Sequence, residues 1–62
     1  MMTLKDFNAG DKVEYVGLEA TVLTVLKNGV RIEYWSGNSF HSAKLRRERV
    51  AARYLKLIRR AA

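Results

Sequence analysis

The 62-residue sequence contains no cysteine, no proline and only one histidine. Without cysteine there is no disulfide and no thiolate metal site, which is typical of a reducing compartment. One histidine does not make a zinc site by itself. No apolar run approaches the roughly 20 residues of a membrane span, and the first residues lack the apolar stretch of a signal peptide. These absences predict a soluble, cytoplasmic protein with no cofactor, no metal and no membrane partner.

The groups that a catalytic site needs are also scarce. Ser39 and Ser42 lie near His41, but no carboxylate is placed to orient its imidazole, so no nucleophilic triad is predicted. The acidic residues of the first half fall on separate strands or loops, and there is no glycine-rich phosphate loop. We therefore predict that the chain is not an enzyme.

Acidic groups are nearly missing from the carboxyl-terminal part of the chain. Residues 40–62 hold eight basic groups and one acidic group, Glu48, whereas residues 1–39 hold four basic and five acidic groups. Six of those eight basic residues are arginine, whose guanidinium suits bidentate phosphate contacts. The imbalance predicts an anionic partner. The simpler alternative is a charged surface that only keeps a small protein soluble.

What the chain does contain is a strong hairpin signal. Asn28-Gly29 separates two runs rich in valine, leucine, isoleucine and tyrosine, which is typical of a type I′ turn between antiparallel strands. With these two residues as the turn, the predicted pairs are Lys27 with Val30, Val25 with Ile32, and Leu23 with Tyr34.

A second turn is predicted at Ser36-Gly37-Asn38-Ser39. It would place Phe40 opposite Trp35, His41 opposite Tyr34, Ala43 opposite Ile32 and Leu45 opposite Val30. Because side chains alternate across a sheet, both turns predict one core face, made of Leu23, Val25, Val30, Ile32, Tyr34, Ala43 and Leu45.

Alternating residues also predict a first strand from Lys12 to Val16. The segment from Glu48 to Ala62 is open to two interpretations. Its composition favours a helix with a basic stripe of Arg49, Arg53, Lys56 and Arg60 and an apolar face of Val50, Ala51, Tyr54, Leu55 and Ile58. The alternative is one helical turn at Val50–Arg53 followed by a closing strand at Tyr54–Ile58.

Three stretches resemble the small SH3-like barrels of the Tudor and KOW type. They are Gly10-Asp11-Lys12-Val13-Glu14-Tyr15, then Ala20-Thr21-Val22, and then the Asn28-Gly29 hairpin with Val30-Arg31-Ile32-Glu33-Tyr34. The resemblance spans residues 7–58 and implies one mainly β domain over residues 1–62. That domain would be a Tudor-like barrel with an N-terminal strand and a three-stranded meander, closed by a helical turn and short strand or by a C-terminal helix. Such domains bind nucleic acid or protein tails.

The predicted outer surface of the meander combines Val22, Trp35 and Phe40 as neighbours, with Arg31 facing Lys44. Basic groups neutralise phosphates, and exposed aromatic rings stack on unpaired bases. We therefore expect a small nucleic-acid-binding module for DNA or RNA with weak sequence specificity. The predicted phosphate contacts are Arg31, Lys44, Arg46, Arg47, Arg49 and Arg53, and the predicted stacking residues are Trp35 and Phe40.

Other interpretations of the same residues stay open. Trp35 and Phe40 would instead form a small cluster covered by the C-terminal segment. In a protein-interaction module, an acidic protein would dock on the basic face, or a homodimer would form through Val22, Trp35 and Phe40. An aromatic cage for a methylated cation would need Tyr15, Tyr34, Trp35 and Phe40. A C-terminal helix would enter a major groove or lie on a membrane surface.

Overall fold

The computed structural model describes residues 4–37 and 43–61. Its strands are β1 (Lys12–Tyr15), β2 (Leu18–Leu26), β3 (Gly29–Ser36), β4 (Lys44–Val50) and β5 (Leu55–Arg59). These five strands form one antiparallel sheet in the order β4-β3-β2-β1-β5. Short 3-10 turns occupy Leu4–Asp6 and Ala52–Tyr54. The prediction of a mainly β domain is confirmed.

The C-terminal segment is a helical turn followed by a strand, as one of the two interpretations predicted, and the continuous helix of the other interpretation is wrong. After the 3-10 turn, β5 pairs with β1, placing Leu55 opposite Tyr15 and Leu57 opposite Val13. This pairing provides hydrogen-bonding partners for the backbone groups at the edge of β1. The stabilisation from these hydrogen bonds outweighs the local helix propensity. The helical basic stripe does not form, and neither do the groove-binding and membrane-surface helices that depended on it.

The core lies on one face of the sheet, and half of its buried residues are β-branched residues from the strands. Its buried members are Phe7, Val13, Ala20, Val22, Val30, Ile32, Ala52 and Leu55. Burial of a valine, isoleucine or leucine side chain stabilises a fold by about 1.5–3 kcal/mol. Phe7 comes from the loop before β1 and Ala52 from the 3-10 turn, so chain segments outside the sheet complete this core.

The first hairpin forms where it was predicted, but its register differs. Lys27 and Asn28 are the turn residues, while Gly29 pairs with Leu26 and opens β3. A Cβ atom at position 29 would lie 2.8 Å from Cγ of Arg49, so glycine makes room for this side chain.

Farther along the hairpin, a bulge at Leu23 changes the pairing. Val25 therefore opposes Val30, whereas Val22 opposes Ile32. The predicted pairing of Val25 with Ile32 is wrong because the pattern alone does not reveal the extra residue of a bulge.

The predicted register of the second hairpin is also wrong. Val30 pairs with Val50, Ile32 with Glu48 and Trp35 with Leu45, a shift of five residues along β4. A shift by an odd number turns every β4 side chain to the opposite face of the sheet. The predicted core residues Ala43 and Leu45 are consequently exposed, and half-buried Val50 packs against the core instead. Phe40 and His41 lie outside the described residues.

A buried aspartate connects the two ends of the described chain. Asp11 accepts hydrogen bonds from the backbone N–H groups of Asn8 and Ala61, at 2.9 and 2.8 Å, and from the guanidinium of Arg60 at 3.1 Å. The Ala61 N–H is the main cause of a lowered Asp11 pKa; burial opposes this effect, and Asn8 and Arg60 add to it. The negative charge of Asp11 thus holds the end of β5 against the loop that precedes β1.

Candidate functional site

The surface of β3 and β4 that points away from the core, here called the outer face, combines arginine with an exposed aromatic ring. Because side chains alternate along a strand, this face is opposite to the one that carries Val30 and Ile32. It is built from three cross-strand pairs, Arg31 with Arg49, Glu33 with Arg47, and Trp35 with Leu45.

Trp35 presents its indole ring to solvent. The residue is 64% exposed, and Leu45, its cross-strand partner, is 42% exposed. The alternative in which Trp35 is packed beneath the C-terminal segment is therefore wrong. Its predicted neighbour Val22 is 1% exposed and belongs to the core, while Phe40, the other predicted neighbour, falls beyond the described residues. The ring is available for a planar apolar ligand.

Two arginines of the outer face are oriented by neighbouring side chains. Arg47 Nε donates to Glu33 Oε2 at 2.8 Å, and Arg49 donates to Asn28 Oδ1 at 3.2 Å. Exposed ion pairs contribute only about 0–1 kcal/mol to stability, so the main consequence of the Glu33 contact is to direct the Arg47 guanidinium.

Arg31 and Arg49 are directly opposite each other in the pairing of β3 with β4. Like charges at such positions destabilise a sheet. The Arg49 side chain extends over Gly29 to Asn28. Both arginines are exposed, and neither forms an ion pair with a carboxylate in residues 4–37 or 43–61.

The remaining predicted phosphate contacts lie elsewhere. Arg46 is opposite Tyr34 and donates from Nε to Ser36 Oγ at 2.9 Å, and Lys44 is opposite Ser36. These two side chains are therefore on the core side of the sheet, and the predicted pairing of Arg31 with Lys44 is wrong. Arg53 belongs to the 3-10 turn.

Of the predicted site residues, the structure thus brings together Arg31, Arg47, Arg49 and Trp35, and it separates them from Lys44, Arg46 and Arg53. The guanidinium of Arg53 lies 4.9 Å from the centroid of the Tyr54 ring, which is cation–π geometry.

The core side of β3 carries a tyrosine cluster that the sequence did not reveal. The rings of Tyr15 and Tyr34 meet edge to face with centroids 5.8 Å apart, and Tyr34 Oη donates to Glu48 Oε1 at 2.9 Å. The hydrogen bond to Glu48 is the main cause of a raised Tyr34 pKa. Burial, followed by the charge of Glu48, raises the pKa of Tyr15.

The aromatic cage, one of the alternatives for these residues, does not form among the residues that the structure describes. Tyr34 and Trp35 are consecutive on β3, so their rings lie on opposite faces and do not line one pocket. The correct register of β4 would have been needed to find Glu48 as the partner of Tyr34.

The described parts of the chain contain neither a cluster of metal-ligand residues nor a membrane-spanning helix. Within residues 4–37 and 43–61, no three His, Cys, Asp or Glu side chains are grouped so that they could hold a metal ion. The same residues contain no helix that is long and apolar enough to cross a membrane. Comparisons with known protein families, curated proteins and solved structures found no match.

Proposed function

We propose that this chain is a nucleic-acid-binding module with a small SH3-like, Tudor-like barrel fold, and that it binds through its outer face. Three features support the barrel: the strand order β4-β3-β2-β1-β5, the 3-10 turn before β5, and the bulge in the nine-residue strand β2. Bulges bend a strand and increase its twist, as a sheet that curls around its own core requires.

The single observation that carries the functional proposal is the opposed pair Arg31 and Arg49 on the same face of the sheet as an exposed indole. Phosphate would relieve the repulsion between these two guanidinium groups, since arginine forms bidentate contacts with phosphate oxygens. Arg47, directed by Glu33, would extend the same positive surface toward Trp35. Phosphate contacts carry no direct sequence information, so we expect binding to be weakly sequence-specific.

The test is a titration of fluorescently labelled DNA and RNA with the protein at about 50 and 200 mM salt. We expect binding at low salt that weakens steeply at high salt, because neutralised phosphates release counterions. Arg31→Ala and Arg49→Ala should weaken binding more than Lys44→Ala and Arg46→Ala, which remove equal charge from the core side. Absence of binding to every nucleic acid at low salt would rule out the function.

A second candidate function is a protein-interaction module, and the exposed pair of Trp35 and Leu45 favours it. Both residues are apolar, and Leu45 belongs to β4, which is an edge strand of the sheet. An acidic protein or a second copy of the chain would cover this pair. Association that persists at high salt would support hydrophobic docking rather than phosphate contacts, and a measurement of molecular size would identify self-association.

A further inference from the structure

We infer that the nucleic acid bound by the outer face is single-stranded, with one base stacked on Trp35 and the adjoining backbone running along β4 to Arg49. This inference depends on the proposed function and specifies its ligand. Two features of the outer face carry it: the accessible indole and the spacing of the cross-strand pairs.

The accessible indole favours unpaired bases. In a duplex, the flat surfaces of the bases are covered by their neighbours in the stack, so an indole outside the duplex does not reach them. In a single strand these surfaces are available, and stacking on an aromatic side chain tolerates any base. Trp35, at 64% exposure, has no aromatic partner in the described residues, so a base would be its first stacking contact.

The spacing of the cross-strand pairs sets the length of the site. Trp35 is two residues from Glu33 and four from Arg31 along β3, and a strand rises about 3.3 Å per residue. The indole is therefore about 13 Å from the pair of Arg31 and Arg49, measured along the strand. A strand with about 3.4 Å per stacked nucleotide needs roughly four nucleotides to cover that distance.

The experiment compares labelled single strands with a blunt duplex of the same length, for wild type and for two alanine variants. Trp35 is the only tryptophan in the sequence, so intrinsic fluorescence reports on its ring alone. We expect single strands to quench this fluorescence and to bind more tightly than the duplex, with affinity rising up to about four nucleotides. Oligo-dT and oligo-rU of equal length distinguish DNA from RNA, and tighter binding of either single strand than of the duplex supports the inference.

Trp35→Ala removes the stacking ring, and we expect it to weaken single-strand binding by about 5- to 150-fold and duplex binding by much less. Tyr54→Ala is the matched control, because it removes another exposed aromatic ring from outside the outer face. It should change binding less than twofold. A thermal unfolding curve for each variant establishes that it is folded.

The outcomes separate this inference from the proposed function. Duplex binding as tight as single-strand binding, or an indole that shows no quenching, would overturn the single-strand inference and leave nucleic-acid binding intact. Failure of every DNA and RNA to bind would instead overturn the proposed function. Equal losses in Trp35→Ala and Tyr54→Ala would also contradict a stacking role for Trp35.

Discussion

The division of the basic residues between two faces of the sheet predicts a specific salt dependence. For single strands, the slope of log affinity against log salt is about −0.7 for each phosphate neutralised. Arg31, Arg47 and Arg49 share the outer face, so three contacts give a slope of about −2, which is an affinity loss of about 20-fold between 50 and 200 mM salt. A slope of about −4 would require all six basic residues expected from the sequence.

Single alanine variants test which residues contribute to that slope. Arg31→Ala and Arg49→Ala should each reduce its magnitude by about 0.7. Lys44→Ala and Arg46→Ala should leave it unchanged, although they remove the same charge. Fluorescence anisotropy with a short labelled oligonucleotide at four or more salt concentrations measures the slope. Equal reductions in all four variants would refute the division into two faces and would indicate a diffuse electrostatic attraction.

Three further predictions concern the fold that holds the site. Asp11→Asn should lower the melting temperature at neutral pH. Because folding lowers the pKa of Asp11, the wild type should lose stability as the pH falls below about 4. The variant should lose less stability over the same pH range. An identical acid profile would exclude Asp11 as its source. Ile32→Ala should lower the free energy of unfolding, measured with urea, by about 2–5 kcal/mol. Arg31→Ala, at the exposed neighbouring position, should lower it by less than about 0.5 kcal/mol. Equal losses would contradict the assignment of these residues to opposite faces. Gly29→Ala should lower the free energy of unfolding by about 1–3 kcal/mol, because the new Cβ atom displaces the Arg49 side chain or the backbone of Val50. An unchanged stability would show that the space over position 29 can accommodate a methyl group.

The type of fold and the position of the first hairpin could be predicted from local sequence. Alternation of apolar and polar residues along Val30–Tyr34 has the period of a strand, and Asn28-Gly29 marked the turn to within one residue. The register could not be predicted. It depends on a bulge at Leu23 and on the side chain of Arg49, which occupies the space over Gly29. Both are tertiary effects that a pattern of neighbouring residues does not contain.

The candidate site was predicted as a set of residues but not as an arrangement. Charge counts found the arginines, and the two turns placed Trp35 on the same strand as Arg31. The five-residue error in pairing β4 then assigned Lys44 and Arg46 to the outer face and Leu45 to the core, each the reverse of what is observed. The helix propensity of the last segment was misleading because pairing with β1 determines its conformation.

The location of the binding surface is tested most directly by an NMR titration of side-chain signals with a short single-stranded oligonucleotide. The indole N–H of Trp35 and the guanidinium Nε–H groups of Arg31, Arg47 and Arg49 should shift together as the oligonucleotide is added, while the ring signals of Tyr15 and Tyr34 on the other face stay in place. Shifts confined to the tyrosine cluster, with an unchanged indole signal, would show that the ligand binds the opposite side of the sheet.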